Sequence, residues 1–263
     1  MSDTSTDGFL AGRLMLEQPV DGYRAGLDAM LLAAAVADQD YASLLDVGCG
    51  VGAVMLAAAL RRPDARHAGL ERDPGAVALC HRNIAFNGLQ SSAEVIEGDH
   101  LARGGPDGFD LVVSNPPFFD DASAIRDPAP ARRAAWIADA PLEDWIRAML
   151  RRAAPKGVIA LIHRADRIAD VLAALKGRAG GVTIMPVHPR MGAPATRVLV
   201  SARKGTRAPI RIKPGLVVHP DPASGRFTPE TEAVLAGETL SKAVAGTPAQ
   251  WPASSVAGGG AAA

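Results

Sequence analysis

The chain has 263 residues, of which 48% are hydrophobic and 21% are charged, and its 28 basic side chains balance 28 acidic ones. This composition predicts one globular domain, or a domain with a small extension, and its two cysteines, Cys49 and Cys80, are too few for a disulfide framework. No apolar run approaches the roughly 18 residues that cross a bilayer, and the first residues do not resemble a secretion signal. We therefore expect a cytoplasmic protein with free thiols and no membrane partner.

The charges are unevenly distributed along the chain. Residues 1–150 hold 12 basic and 22 acidic side chains, a net charge of −10, whereas residues 151–219 hold 14 basic and two acidic ones, a net charge of +12. Such a basic segment is typical of a surface that binds a phosphate backbone. The same side chains would also solvate one face of a sheet and pair with the acidic half, and charge alone favours neither interpretation.

Short apolar runs alternate with helical stretches, beginning with an alanine-rich helix predicted over residues 27–37. Strands are then predicted at 43–47, 67–71, 93–97, 109–114, 158–163, 182–187 and 196–202, and helices at 53–60, 74–86, 141–153 and 165–177. This alternation predicts an α/β fold, a Rossmann-like doubly wound seven-stranded sheet that is mostly parallel. The link between the last two strands is too short for a crossover helix, so the last strand should run antiparallel.

The composition also suggests how the chain is divided. Residues 1–17 are expected to be a flexible leader, and residues 18–205 the main domain with a helical lead-in. Residues 206–243 are expected to be a small C-terminal extension, and residues 244–263, which end in AGGGAAA, a disordered tail.

A glycine-rich loop, DVGCGVG at residues 46–52, follows the first of these strands. Glycines let the backbone approach a ligand closely, and the helix that follows offers unpaired N–H groups to a carboxylate or phosphate. The leading Asp46 and the one-residue spacing of the last two glycines both differ from the dinucleotide-binding pattern. The alternative is a glycine-rich turn that binds nothing.

Two acidic residues follow the next two predicted strands. Glu71 lies about 20 residues beyond the glycine loop, where a carboxylate can accept hydrogen bonds from two ribose hydroxyls. Asp99, in EGDH, is placed to accept a hydrogen bond from an adenine amino group. The alternatives are a solvated strand end for Glu71 and an Asx turn for Asp99.

The sequence Asn115-Pro116-Pro117 ends the fourth predicted strand. Each proline lacks an N–H and fixes φ, so this is a stiff segment whose carbonyls and amide side chain are available to a partner. Parallel sheets bind ligands outside the carboxyl ends of their strands. The glycine loop, Glu71, Asp99 and Asn115 are therefore predicted to share one crevice.

These motifs carry a resemblance to a known family. DVGCGVG, the glutamate of GLERD, EGDH and SNPPF resemble, in this order, the motifs of class I S-adenosylmethionine-dependent methyltransferases, and NPPF resembles the element of their amino-methylating branch. The upstream VDGYRAGLDAMLLAAAVA is similar to the pattern before the glycine loop in bacterial tRNA1(Val) adenine N6-methyltransferases. The resemblance extends from about residue 18 to residue 235, and implies that residues 18–205 form a methyltransferase domain.

The resemblance implies a role for each motif residue. S-adenosylmethionine would be held by Asp28, Asp46, Gly48, Gly50, Glu71, Asp99 and Asn115, with Glu71 at the ribose and Asp99 near the adenine. The catalytic residues would be Asn115, Pro116, Pro117 and Phe118. Asn115 and the Pro116 carbonyl would accept the two hydrogens of an exocyclic amine, and Phe118, where relatives often have tyrosine, would stack on the base. No metal ion is expected.

The resemblance also implies tRNA as the partner. Phosphates would be held by Arg132, Arg133, Arg190, Arg197, Arg203 and Lys204, and Trp145 would be a packing residue. The alternatives are methylation of another RNA or DNA adenine, methylation of a glutamine amide in a protein, and a non-catalytic binding protein. About 40 residues precede the first predicted strand, whereas release-factor glutamine methyltransferases usually carry an additional helical domain there. The intact Asn115 and glycine loop disfavour the non-catalytic alternative, and the oligomeric state is not predicted.

Overall fold

The computed structural model describes residues 3–21, 24–117, 140–221 and 225–244. Its strands are β1 (Thr4–Phe9), β2 (Leu14–Pro19), β3 (Ser43–Val47), β4 (Arg66–Glu71), β5 (Ala93–Glu97), β6 (Phe109–Ser114), β7 (Ala153–Arg164), β8 (Ala179–Arg190), β9 (Arg197–Lys204), β10 (Arg211–Ile212) and β11 (Leu216–His219). The helices are α1 (Leu27–Val36), α2 (Ala53–Arg61), α3 (Pro74–Phe86), α4 (Leu142–Arg152), α5 (Ile168–Leu175), α6 (Pro229–Leu235) and α7 (Leu240–Val244). In this part of the chain, no helix combines the length and hydropathy needed to cross a membrane.

The central sheet has the strand order β10-β8-β9-β7-β6-β3-β4-β5, and β11 also pairs with β8. Strands β3 to β7 pair in parallel, with β3 between β4 and β6. Strand β9 lies between β7 and β8 and is antiparallel to both. The predicted α/β fold with an antiparallel last strand is confirmed.

Helices cover both faces of the sheet because neighbouring strand residues point to opposite sides. Leu44 belongs to a core that contains residues of α1, α2, α3, α6 and α7. The next residue, Leu45, belongs to a second core on the other face, with residues of α4 and α5. Both leucines are fully buried. The continuous apolar run in β3 therefore reflects a strand that is covered on both faces.

The N-terminal residues form an antiparallel hairpin of β1 and β2, in contrast to the flexible leader predicted for residues 1–17. Leu14 and Leu16 are fully buried, and they alternate with half-buried residues as in a strand with one covered face. Two asparagines hold β2 in place, one in α3 and one directly after it. Asn83 Oδ1 accepts from the Glu17 backbone N–H at 2.7 Å, and Asn87 Oδ1 accepts from that of Met15 at 2.9 Å. Since these contacts join distant parts of the chain, local composition did not reveal them.

The C-terminal extension begins along the outer side of β8. Strands β10 and β11 both pair with β8 in parallel, so the extension widens the predicted seven-stranded sheet to nine strands among the described residues. The Thr228 hydroxyl then caps α6 by accepting from the Thr231 backbone N–H at 3.2 Å. The tail predicted for residues 244–263 lies outside the described residues, apart from Val244 at the end of α7.

Candidate active site

The glycine loop joins β3 to α2 and holds three glycines in the left-handed region, with φ of 69° at Gly48, 55° at Gly50 and 92° at Gly52. A Cβ atom at Gly48 would lie 2.9 Å from Cζ2 of Trp145, so this glycine is required for packing. A Cβ atom at Gly50 would meet no atom within 4 Å. Gly50 therefore faces open space, as expected where a backbone approaches a ligand.

Glu71, at the end of β4, is bound to the glycine loop. Its Oε2 accepts from the Gly50 backbone N–H at 2.9 Å, and its Oε1 accepts from those of Arg72 and Asp73 at 2.9 and 3.0 Å. Three bonds leave an ionised carboxylate with capacity for a further donor, because its two oxygens offer about four acceptor positions. Glu71 is thus fixed beside the loop and can accept from a ligand hydroxyl.

Asp46 lies under the glycine loop and is only 2% exposed. Its Oδ2 accepts from the Met55 backbone N–H, in the first turn of α2, at 3.2 Å. Burial raises the pKa of this carboxyl to about 7, the negative charge of Glu71 acts in the same direction, and the Met55 bond opposes both. No described cation forms an ion pair with Asp46. Such a carboxylate favours a ligand that brings a positive charge.

The turn after β5 places Asp99 and His100 near the same edge. Asp99 Oδ1 accepts from the Leu101 backbone N–H at 2.8 Å, which is the Asx turn considered as an alternative, and its side chain is 55% exposed. His100 is buried, with its ring centroid 3.8 Å from that of Trp145. Burial lowers the pKa of His100 to about 4, so its ring is neutral at neutral pH. An exposed Asp99 can still serve a ligand.

A hydrogen-bonded link holds the Asn-Pro-Pro segment beside the glycine loop. The buried Ser114 hydroxyl donates to the carbonyl of Val47 at 2.7 Å and accepts from Nε1 of Trp145 at 2.8 Å. Val47 precedes Gly48 and Ser114 precedes Asn115, so one serine joins the two predicted motifs. Trp145 packs as expected, but its role in this link could not be inferred from the sequence, which showed only a tryptophan in an amphipathic helix.

Several predicted residues lie at this edge, and others lie outside the described residues. Asn115 is half-buried and Pro116 is buried, directly beyond Ser114, and Pro117 follows them. Phe118, Arg132 and Arg133 fall outside the described part of the chain.

Asp28 and Arg197 contact each other, although they were predicted in different roles. Arg197 Nε donates to Asp28 Oδ2 at 3.0 Å, and both side chains are partly covered. Arg197 pairs with Arg164 at the carboxyl end of β7, because β9 runs antiparallel and starts at that edge. The two residues therefore lie at the predicted crevice edge as an ion pair that joins β9 to the first turn of α1.

Arg203 and Lys204, which were expected to hold phosphates, lie away from the predicted crevice. Both lie at the other end of β9, where Arg203 pairs with Val158 and donates to the Lys156 carbonyl at 2.6 Å. Lys204 Nζ donates to the Ala153 carbonyl at 2.6 Å. An antiparallel strand places its two ends at opposite edges of the sheet, so residues at the end of β9 lie at the amino edge. Arg190, at the carboxyl end of β8, is exposed.

Comparison with known proteins relates this site to methyltransferases. Residues 25–130 match the family model of the methyltransferase small domain. A tRNA1(Val) (adenine(37)-N6)-methyltransferase of Porphyromonas gingivalis is 32% identical over 238 residues, which cover 86% of this chain and 92% of that protein. A release factor glutamine methyltransferase of Caulobacter vibrioides is 41% identical over 76 residues, 29% of this chain and 26% of that protein.

A solved structure of a methyltransferase is also similar to this chain. The crystal structure of a predicted O-methyltransferase from Agrobacterium tumefaciens superimposes with a TM-score of 0.66 and 32% identity, covering 81% of this chain and 97% of that one. The fold, the position of the motifs at one edge of the sheet and the similarity over nearly the full chain all indicate the same family. This chain belongs to the family of the tRNA1(Val) adenine N6-methyltransferases.

Proposed function

We propose that the protein transfers a methyl group from S-adenosylmethionine to the N6 amine of an adenine in tRNA. The observation that carries this proposal is the link from Ser114 to Val47, which places the Asn-Pro-Pro segment against the glycine loop. The loop provides a ligand-binding backbone, and the segment provides rigid acceptors for an amine. The similar protein of Porphyromonas gingivalis is named for this reaction.

The residues around the loop fit S-adenosylmethionine, which carries an ammonium group and two ribose hydroxyls. Asp46 is a buried carboxylate without a cationic partner among the described residues, so a ligand ammonium would offset the cost of its burial. Glu71 would accept from the ribose hydroxyls, and Asp99 would lie near the adenine. Gly50 leaves room for the ligand. When bound, the cofactor supplies an electrophilic methyl group on a sulfonium.

The Asn-Pro-Pro segment would position the amine that receives the methyl group. An exocyclic adenine amine is a poor nucleophile because its lone pair is delocalised into the ring. If Asn115 Oδ1 and the Pro116 carbonyl accept its two hydrogens, the nitrogen is held with its lone pair available for attack. Catalysis then relies mainly on positioning. The amine needs no base before transfer, and the neutral His100, packed against Trp145, would serve packing rather than proton transfer.

The base itself would be held by stacking. Phe118 is expected to lie against its flat face, a contact worth roughly 1–3 kcal/mol for aromatic side chains that stack on bases. Pro117 fixes the backbone between Phe118 and the acceptors. A target in an RNA loop is already partly unstacked, so little free energy is spent in exposing it. A cytoplasmic location would give the enzyme access to tRNA.

A second candidate is methylation of a glutamine side-chain amide, which is also planar and carries two hydrogens. The local similarity to a release factor glutamine methyltransferase favours it. However, this chain covers 26% of that relative and 92% of the tRNA-modifying one. An oxygen acceptor, as the name of the Agrobacterium protein would suggest, would leave one of the two acceptors without a hydrogen to bind. The tRNA adenine is therefore preferred.

The test is incubation with radiolabelled S-adenosylmethionine and, in separate reactions, unmodified tRNA transcripts or purified release factor. Transcripts are used because natural tRNA can already carry the modification. We expect label in tRNA alone, and N6-methyladenosine as the labelled nucleoside by mass spectrometry. Label in release factor alone, or a different labelled nucleoside, would overturn the proposal.

A further inference from the structure

Basic side chains follow the outer side of β8. Residues 171–220 hold nine lysines and arginines and no aspartate or glutamate. Four of the nine lie along this outer side, a fifth directly precedes β8, and all five are exposed. We call them the basic strip: Arg178, Arg190, Arg207, Arg211 and Lys213.

The register of β8 gives the order of the strip. Arg178 immediately precedes β8 at the amino edge, and Arg190 ends β8 at the carboxyl edge. Arg211 pairs with Thr183 between them, and the Lys213 backbone N–H donates to the Ile184 carbonyl at 2.8 Å. Arg207 lies nearer the amino end, next to Ala208, whose carbonyl accepts from the Gly181 N–H. Since Arg178 and Arg190 are separated by the length of β8, the strip extends over about 40 Å at roughly 3.3 Å per residue.

The charges of the strip have no acidic partners in the part of the chain that the structure describes. The two acids of the basic segment, Asp166 and Asp170, pair with Arg164 and Arg167 instead. Arg197 pairs with Asp28. A row of like charges repels itself and raises the free energy of the folded state. Such a row is well suited to an anionic partner, whose binding would neutralise it.

The position of the strip relates it to the candidate active site. Three strand spacings separate β6, which ends at the Asn-Pro-Pro segment, from β8. At about 4.8 Å per spacing, Arg190 lies roughly 14 Å from β6 across the strands. Its register is six residues beyond that of Ser114, so it also lies about 20 Å further along the strand direction. From there the strip follows β8 back towards the amino edge, away from the crevice.

We propose that the basic strip binds the phosphate backbone of the RNA stem next to the methylated loop. This inference rests on the proposed function and extends it, because it gives residues 206–213 of the C-terminal extension a role in substrate binding. Arginine and lysine side chains bind phosphates through charge-assisted hydrogen bonds. Contacts of this kind position the RNA and do not read its sequence.

The same segment also exposes two isoleucines, Ile210 at 53% and Ile212 at 73%, which would suit a protein partner. A second copy of this chain is disfavoured, since a two-fold axis beside β10 would bring like charges together. Charged side chains also protect sheet edges from pairing with other chains. If the strip protects the sheet edge, the protein should self-associate when the charges of the strip are removed. If the strip binds RNA, the same change should weaken the affinity of the protein for RNA.

The test compares an edge variant, Arg211→Gln/Lys213→Gln, with a control variant, Arg66→Gln/Lys242→Gln. Each removes two positive charges from exposed positions. Arg66 forms a surface ion pair with Glu94 and lies over the Phe109 ring, away from the strip. The Kd for an unmodified tRNA transcript is measured by fluorescence anisotropy from about 50 to 200 mM salt. We expect the edge variant to lose roughly tenfold in affinity at low salt, and its log–log salt slope to fall by about two relative to wild type.

A second measurement uses methylation of the whole tRNA and of a short single-stranded oligonucleotide with the target loop sequence. The defect of the edge variant should appear as a raised KM for the whole tRNA, and should be confined to substrates long enough to reach the strip. Equal tRNA affinity and salt slope in the edge and control variants would overturn the inference. Self-association of the edge variant on gel filtration with unchanged tRNA affinity would also overturn it, in favour of edge protection.

The two proposals fail in different ways. If the wild type methylates tRNA and the edge variant binds it normally, only the role of the strip is wrong. If the wild type binds tRNA with the expected strip-dependent salt slope but methylates only release factor, the strip stands as an RNA-binding surface and the proposed function is wrong. Absence of any tRNA binding by the wild type would overturn both.

Discussion

Charged side chains lie at both edges of the central sheet. At the amino edge, a cleft of about 720 Å³ is lined by residues that include Arg62, Asp110, Lys156 and Arg203. These side chains bind their own protein: Asp110 Oδ2 accepts from the Ala42 and Ser43 backbone N–H groups, each at 3.0 Å. Arg62 donates to Gln39 and Asp40, and Arg203 donates to Lys156. The polar groups of this cleft therefore support the local fold.

The carboxyl edge uses its polar groups differently. Gly50 opens towards empty space, and Asp46 is a buried carboxylate whose pKa is raised to about 7. Helix α2 begins there, so its first backbone N–H groups face this edge and not the other. The comparison shows that strand direction, which also sets where helices begin, distinguishes the two edges.

The largest expected effect is that of Asn115→Ala, which removes one acceptor for the amine at the carboxyl edge. We expect kcat to fall at least about 100-fold, because the amine would no longer be positioned. Cofactor affinity, measured by calorimetry, should stay within about threefold of wild type, since the glycine loop and Glu71 are untouched. Loss of both activity and cofactor binding would mean that Asn115 supports the cofactor pocket and not the amine.

Gly48 and Gly50, two of the three glycines of the loop, provide a matched pair. Gly48→Ala adds a Cβ atom 2.9 Å from Trp145 at a positive φ, so we expect a loss of about 2–4 kcal/mol in the free energy of unfolding. Gly50→Ala should lower the free energy of unfolding by only about 1–2 kcal/mol, from backbone strain at a positive φ. Its methyl group would enter the open space that the cofactor is proposed to occupy. Urea unfolding and calorimetry should show the larger stability loss for Gly48 and the more direct cofactor defect for Gly50. Equal losses of stability in the two variants would contradict the conclusion that Gly48 is needed for packing and Gly50 is not.

Asp46→Asn tests whether a buried charge is kept for ligand binding. Its folded pKa of about 7 lies above the ordinary value of 3.8, so the wild type loses stability as pH rises between these values. The asparagine variant does not titrate, so its advantage in unfolding free energy should grow from pH 4 to pH 8, by up to about 4 kcal/mol. Its cofactor affinity should fall about tenfold or more. A stability difference that does not change with pH would show that Asp46 is already ionised in acid.

Much of the fold could be predicted because parallel strands covered on both faces have a clear pattern. Leu44 and Leu45 illustrate this, since both are apolar and each enters a different core. The hairpin of β1 and β2 could not be predicted in the same way. Its short strands depend on Asn83 and Asn87, about 70 residues away, and such tertiary contacts have no local signature.

The part of the candidate site that lies at the ends of strands could be predicted from the sequence. Asp46, Glu71 and Asn115 follow directly from strand boundaries, and the structure brings them to one edge. The position of Arg203 and Lys204 at the amino edge was not predictable, because membership of a basic segment does not specify which end of an antiparallel strand a residue occupies. The Ser114 and Trp145 link needed the packing of α4 against β6.

The smallest effect on activity is expected for Asp110→Ala, at the amino edge. The change removes an acceptor for two backbone N–H groups and the Ser43 hydroxyl, but water can replace it at this exposed position, so we expect a loss of about 1 kcal/mol in stability. The Tm should fall by about 2–4 °C while kcat/KM stays within about twofold. A tenfold loss of kcat/KM in protein that is still folded by circular dichroism would show that the amino-edge cleft takes part in the reaction. Strand direction alone would then not determine which edge of the sheet carries the active site.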